Sequence, residues 1–549
     1  SINTNSPPQL KENTSGIYQS PKLTNVNPSS LPHSVLCIYT NPLTAMQINH
    51  TANSLQLKWL GIDTQWEYVV YMKSDCHICI SEGFEALTRV QVSVNGKSVI
   101  ATLNVLHGEL LQQGEASLSE SAWKALKAKE GDLISFAHLQ PVASLSYVRS
   151  KMYGNKLSDD EMQSIIQDIA DGKYSSIQLS AFITACSGDG LDIYEISGLT
   201  KAMVAAGERL TWPEKIVVDK HCVGGLPGNR TTPVVVPIVA AAGLVIPKTS
   251  SRAITSPAGT ADVMETMTSV NLSLQQIQKI VNKEGGCIAW GGAVDLSPAD
   301  DLLIKIERAL DVDSEGQMIA SVLSKKAAAG STHVVIDIPV GKTAKVRSEI
   351  DAHKLKYYFT VVGQVIGLKI EVLITDGSQP VGNGIGPALE ALDVLAVLKN
   401  EEDAPSDLRE RSILIAGAVL DLSGKTKAGE GQNLAREILS SGRAYEKFLA
   451  ICEAQGGFVR PELSPIREVV KAPQAGRITD IDNRRLAMVA KLCGAPSDPG
   501  AGILLHVKLG SEVKAGDPLF TIFTDTKGEL HYTLNYLAQQ TDILKIEPT

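Results

Sequence analysis

The stretch VDKHCVGGLPGNRTT, residues 218–232, puts an Asp-Lys-His trio, three glycines and an arginine into one short turn. Lys220 supplies a positive charge, and His221 supplies a group that gains or loses a proton near neutrality. Gly224, Gly225 and Gly228 let backbone N–H groups approach a ligand, and Thr231-Thr232 precede a helix-compatible segment. N–H groups at a strand-to-helix turn favour an anion such as phosphate. A polar structural turn is the plainer alternative.

Two further stretches carry matching chemistry. PKTSSRAITSPAGTADVMETM, residues 247–267, gathers Thr249, Ser250, Ser251, Arg252, Thr255, Ser256 and Thr260, which suit phosphate and sugar oxygens. A buried-looking segment precedes it, which argues against a merely solvated loop. In IERALDVDSEGQMIASVLSKKAAAG, residues 306–330, Ser321 and Lys325 are four apart and share a helix face, with Arg308 and Asp313 before it. An ordinary amphipathic helix has the same spacing.

Other motifs are weaker. Gly96-Lys97-Ser98, Gly341-Lys342-Thr343 and Gly424-Lys425-Thr426 invite a nucleotide P-loop, but the required earlier glycine is Gln91, Ile336 or Val419. Cys76-His77-Ile78-Cys79 is the one Cys-x-x-Cys, and it reads as a pair of strand or turn cysteines rather than half a zinc or redox site.

These residues must be positioned by more than one core, because 549 residues imply several domains. The chain is 44% hydrophobic and 20% charged with a net charge of -9, an ordinary globular composition that disfavours an extended nucleic-acid surface. Eight cysteines are too few for a disulfide framework, and a reducing, cytoplasmic setting is expected. Residues 1–34 read as a flexible tail without a secretory signal. The longest apolar run, Val234 to Ile246, is interrupted by Pro237 and Gly243 and is too short for a membrane span.

Residues 35–118 read as a β-rich domain, with Asn95-Gly96 marking a hairpin. Helical spacing follows from Ser119 to about Gly207 and returns over Ala299–Lys326, so a domain built from two chain segments is expected. Residues 213–295 and 331–464 alternate strands and helices, with strands expected at Lys215–Lys220, Val334–Val340 and Lys369–Thr375. Short strands over 465–549 suggest an α+β lobe. That lobe is similar to biotinyl or lipoyl carrier domains but lacks their modified-lysine tip. The fold class expected is multidomain α/β.

DKHCVGGLPGNRTTP and IPKTSSRAITSPAGTAD closely resemble the thymidine and pyrimidine nucleoside phosphorylase family. The match is closest to its branch with a long N-terminal extension, which includes archaeal AMP phosphorylases and bacterial proteins catalogued as thymidine phosphorylases. The resemblance covers about residue 70 to the end.

It implies a small α domain over 119–212 and 296–330 and a large α/β domain, with the active-site cleft between them, in a homodimer or higher homo-oligomer. It implies phosphorolysis of a nucleoside to free base and pentose 1-phosphate, with phosphate as co-substrate and no cofactor or metal. Lys220, Thr232, Ser250 and Thr260 resemble the phosphate clamp. Cys222 joins them where many relatives have serine; a thiol is a weak donor. Arg308, Ser321 and Lys325 resemble the groups that hold the base, and His221 the histidine proposed for proton transfer to it.

The nucleotide-using branch is matched as well. Asp313 sits where that branch is thought to protonate the leaving base. Gly225, Ser251, Arg252, Ala253, Ile254, Thr255, Ser256, Thr260, Ser321 and Lys345 match its nucleotide contacts. Thymidine or a related pyrimidine nucleoside is the first expectation, and a nucleoside 5′-monophosphate the alternative. A non-catalytic nucleotide-binding scaffold is the competing class. A phosphoribosyltransferase of related fold is disfavoured because these loops hold no paired acids for a metal–diphosphate. No nucleic-acid or membrane partner is expected.

Overall fold

The computed structural model describes residues 54–253, 256–294, 296–310, 312, 314–540 and 542–548. The expected N-terminal tail, together with Ile254, Thr255 and Asp313, lies outside the described residues.

The first domain is a closed six-stranded barrel. Its order is Ser54–Leu57, Glu115–Leu118, Val69–Lys73, Lys97–Leu106, Arg89–Val94 and Leu133–His138, the last pairing back to the first. Alternating side chains such as Val90, Val92, Val94, Ala101 and Leu103 fill the interior. Asn95-Gly96 turns the expected hairpin, both residues having positive φ.

The barrel extends beyond the boundary at 118. The helix Glu120–Leu126 sends Ala122 and Leu126 into the barrel core, and Leu133–His138 closes the sheet with Ile134 and Phe136 inside. The helical spacing of 120–126 is real, but its one apolar stripe is spent on the barrel. Cys76 and Cys79 sit at the start of the short helix His77–Glu82, not on a strand, and both are buried.

The α domain packs Leu145–Met152, Asp159–Ala170, Ser176–Cys186 and Ile193–Ala205 with the returning helices Pro298–Leu310 and Glu315–Ala328. Capping boxes at Ser158, Ser175 and Asp192 start three of these helices. Small residues on Glu315–Ala328 let it lie close to Ile193–Ala205: a Cβ on Gly316 would stand 3.1 Å from Ile196.

The α/β domain carries parallel strands in the order Lys369–Asp376, His333–Val340, Val218–Cys222. A parallel bridge from Val217 to Val245 continues to Ile246–Ser250, which pairs with Gly286–Trp290. After Thr232 the helix Thr232–Ala241 is apolar all round, and it is buried on this sheet up to half-buried Ala241, as its continuous valine run requires. The C-terminal lobe has a three-stranded sheet and three strands of a four-stranded one, whose edge strand Gly384–Ile385 comes from the α/β domain, with helices Asn483–Leu492 and Lys527–Gln539. No helix among the described residues is long and apolar enough to cross a membrane.

Candidate active site

The strand Val218–Cys222 alternates, so its two faces hold different chemistry. On one face the Lys220 ammonium, 1% exposed, donates to the Thr231 hydroxyl at 2.7 Å. Cys222 lies on this side and accepts a hydrogen bond from the Asn229 amide at 3.1 Å. Burial, with Asp337 nearby, pushes the Cys222 thiol up to about 12, so it stays a neutral thiol. On the other face, wholly buried Asp219 meets the Lys326 ammonium at 2.8 Å and Lys248 at 4.0 Å.

His221 is half-buried where these groups converge. Burial first, then Lys326, Lys248, Lys220 and Lys325, hold the imidazole well below its ordinary pKa. Lys220 and Lys248 come from the α/β sheet, while Lys325 and Lys326 come from the returning α-domain helix. The site therefore joins both domains and is a cationic nest around a neutral imidazole. Lys220 and Lys248 are themselves pushed down by burial.

The glycine turn closes the nest. Gly224, Gly225 and Gly228 all have positive φ. A Cβ on Gly225 would lie 2.5 Å from the Lys345 backbone nitrogen, so the turn and the Lys345 loop touch. The helix Thr232–Ala241 begins here, and its N-cap residue Thr231 makes no side-chain cap hydrogen bond. The Ser250 hydroxyl, 8% exposed at the end of its strand, has no partner among the described residues.

The loop after Ser250 is stapled by Asp262, which accepts from the backbone N–H of Ala253 at 2.7 Å and of Gly259 at 2.8 Å. Arg252 is engaged by Asp262 at 3.2 Å and by Glu265, and its guanidinium lies 4.7 Å over the Trp290 ring. It fixes the loop here and does not stand free. Ser251 is exposed, and its carbonyl accepts the Ala261 N–H. The Ser256 hydroxyl donates to the Ala258 carbonyl. The Thr260 hydroxyl accepts from Arg230.

Across the cleft, Lys325 meets Asp300 at 2.6 Å and Ser321 donates to the same carboxylate at 2.9 Å. Asp300 raises the Lys325 pKa against the opposing effect of burial, which is the larger single influence. Arg308 reaches over to the Ala253 carbonyl at 3.4 Å, so the α domain touches the hydroxyl-rich loop. The C-terminal lobe braces the Lys345 loop through Lys342–Asp480 and Asn483–Thr343.

Sequence reasoning missed Asp219, Lys248, Lys326, Asp300, Arg230 and Glu390. Strand alternation could have flagged Asp219 opposite Lys220, and Lys326 adjoins Lys325. Glu390 had no local signal, because it reaches Arg230 from 160 residues away.

An α/β domain whose parallel strands end at a cluster of buried lysines, with a helical domain facing that cluster, is the class this arrangement defines. Comparison with known families agrees. Residues 145–207 match "Glycosyl transferase family, helical bundle domain", residues 214–445 match "Glycosyl transferase family, a/b domain", and residues 477–543 match "Pyrimidine nucleoside phosphorylase C-terminal domain".

A Legionella pneumophila (strain Paris) protein named "Putative thymidine phosphorylase" is 56% identical over 90% of this chain and 96% of its own. A Polaromonas sp. (strain JS666 / ATCC BAA-500) protein of the same name is 55% identical over 90% and 97%. Anthranilate phosphoribosyltransferase from Thermus thermophilus superposes with a TM-score of 0.48 at 21% identity, over 56% of this chain and 98% of that one. The chain belongs to this glycosyl transferase family, in the group carrying the pyrimidine nucleoside phosphorylase C-terminal domain.

Proposed function

We propose that the protein catalyses phosphorolysis of thymidine or a related pyrimidine nucleoside, giving free base and (2-deoxy)-α-D-ribose 1-phosphate. The observation that carries this reading is the set of lysines both domains bring to the strand that bears His221: Lys220 on the strand itself, with Lys248 and the α-domain Lys326 on neighbouring Asp219. Such a nest suits a bound dianion beside a leaving base.

Phosphate sits against Lys220, Ser250, Thr260 and the N-terminus of the helix beginning at Thr232. Departure of the base builds positive charge on the sugar and negative charge on the base, as in glycoside cleavage. The phosphate faces the first, and Arg308, Ser321 and Lys325 absorb the second. His221 is neutral until an anion offsets its lysine neighbours, so phosphate binding raises its proton affinity and prepares it to supply a proton to the base. Approach of the α domain excludes water, which competes with phosphate as nucleophile.

A second reading, phosphorolysis of a nucleoside 5′-monophosphate to base and ribose 1,5-bisphosphate, is favoured by one contact. The Lys345 backbone abuts Gly225, which puts that lysine at the anion turn. Base release from thymidine, uridine, AMP, CMP and UMP, with and without phosphate, separates the readings. Turnover of thymidine alone supports the first. Turnover of monophosphates alone replaces it with the second, and turnover of none rejects both.

A further inference from the structure

Arg230 sits between the glycine turn and Thr231, and its guanidinium is spent on three groups. Nε donates to Glu390 Oε2 at 2.7 Å, Nη1 to the Thr260 hydroxyl at 2.9 Å, and Nη2 to the Ala258 carbonyl at 2.9 Å. Glu390 is 1% exposed and also accepts the Gly386 N–H at 3.3 Å, so the ion pair is desolvated and held from the far side of the domain. The guanidinium has donors and no acceptor. The Thr260 oxygen must therefore accept from it, and the single hydroxyl proton is left to donate elsewhere.

Among the described residues the Thr260 hydroxyl donates to none. Thr231 repeats the pattern on the other side of the nest, accepting from Lys220. The Thr260 loop cannot slide easily, since a Cβ on adjacent Gly259 would lie 2.4 Å from the Arg252 carbonyl carbon. A cation behind each threonine orients its proton toward the anion and strengthens it as a donor.

We propose that Arg230 is a positioning residue for the phosphate co-substrate: it pins the two loops of the cradle together and fixes the Thr260 hydroxyl as a donor into it. Lysine cannot replace it, because a point charge on a flexible stem does not reach three acceptors in one plane. The inference rests on the reading of this nest as the phosphate site.

The test compares the wild type, R230K, T260V and the double variant R230K/T260V, in two measurements. Initial rates give KM for phosphate and for thymidine. Thermal unfolding with and without phosphate, in the absence of nucleoside, gives a binding readout independent of turnover. Each single variant is expected to raise the phosphate KM by about tenfold or more while the thymidine KM changes less than about twofold. The double variant is expected to be no worse than the weaker single, because both remove the same donor.

Multiplying effects in the double variant, or a thymidine KM that rises in step, overturn the proposal. Without thymidine turnover in the wild type, the function reading falls alone. The phosphate-induced shift in Tm then decides, being retained in the wild type and lost in R230K and T260V if Arg230 acts as proposed. Equal shifts in all four proteins, or none in the wild type, overturn it.

Discussion

Asp219 and Lys326 meet at 2.8 Å with both side chains buried, and this pair underlies the half-buried His221. Asp219 also faces Lys248 at 4.0 Å, so one carboxylate balances two buried ammonium groups. Asp219→Asn leaves those charges uncompensated. The expected loss is about 3–5 kcal/mol of stability, read from urea unfolding, with phosphate restoring part of it. A change below about 1 kcal/mol contradicts this account.

The pH dependence follows from His221. Its native pKa is depressed below the ordinary 6.5, so the unfolded chain binds the proton more readily. Its contribution is complete above the unfolded pKa, and stability is lost as pH falls below about 6.5. His221→Gln removes that loss, so the wild type should weaken more steeply than the variant as pH falls from 6.5. Proton NMR of the imidazole should show its titration moving upward when phosphate fills the nest. Parallel stability curves and an unmoved titration refute the lysine-nest assignment.

Lys325 is held by Asp300 at 2.6 Å, and Ser321 shares that carboxylate. Lys325→Met removes the cation proposed to absorb charge on the base. The kcat/KM for nucleoside is expected to fall by about 100-fold or more, with the phosphate KM little changed. A matching rise in phosphate KM would move Lys325 to the phosphate clamp.

Gly225 has φ +78°, and an added Cβ would lie 2.5 Å from the Lys345 nitrogen. Gly225→Ala forces the turn and the Lys345 loop apart. The expected cost is about 1–3 kcal/mol, together with a weaker phosphate-induced rise in Tm. Wild-type behaviour in both measurements contradicts the close approach.

Much of this was legible in the residues. The glycine turn, the hydroxyl-rich loop and the Ser321/Lys325 face are each visible as local motifs, and two of the three strands fall within a residue of expectation, while the first runs Val218–Cys222 rather than Lys215–Lys220. The barrel boundary was not legible, because pairing of Leu133–His138 with strands about 40–80 residues earlier leaves no local trace. The buried charges were equally hidden. Asp219 sits in an expected strand and Lys248 at the start of the hydroxyl-rich stretch, and only tertiary packing shows that three lysines share one carboxylate's surroundings. Arg230 is visible in the motif, but its task depends on distant Glu390.

The most direct test of the central claim is phosphorus NMR of the purified protein with thymidine and inorganic phosphate, with thymine followed in parallel. Phosphate as nucleophile predicts a sugar 1-phosphate resonance growing in step with thymine, and neither product without phosphate. Thymine released with no sugar phosphate, or at the same rate without phosphate, would contradict it.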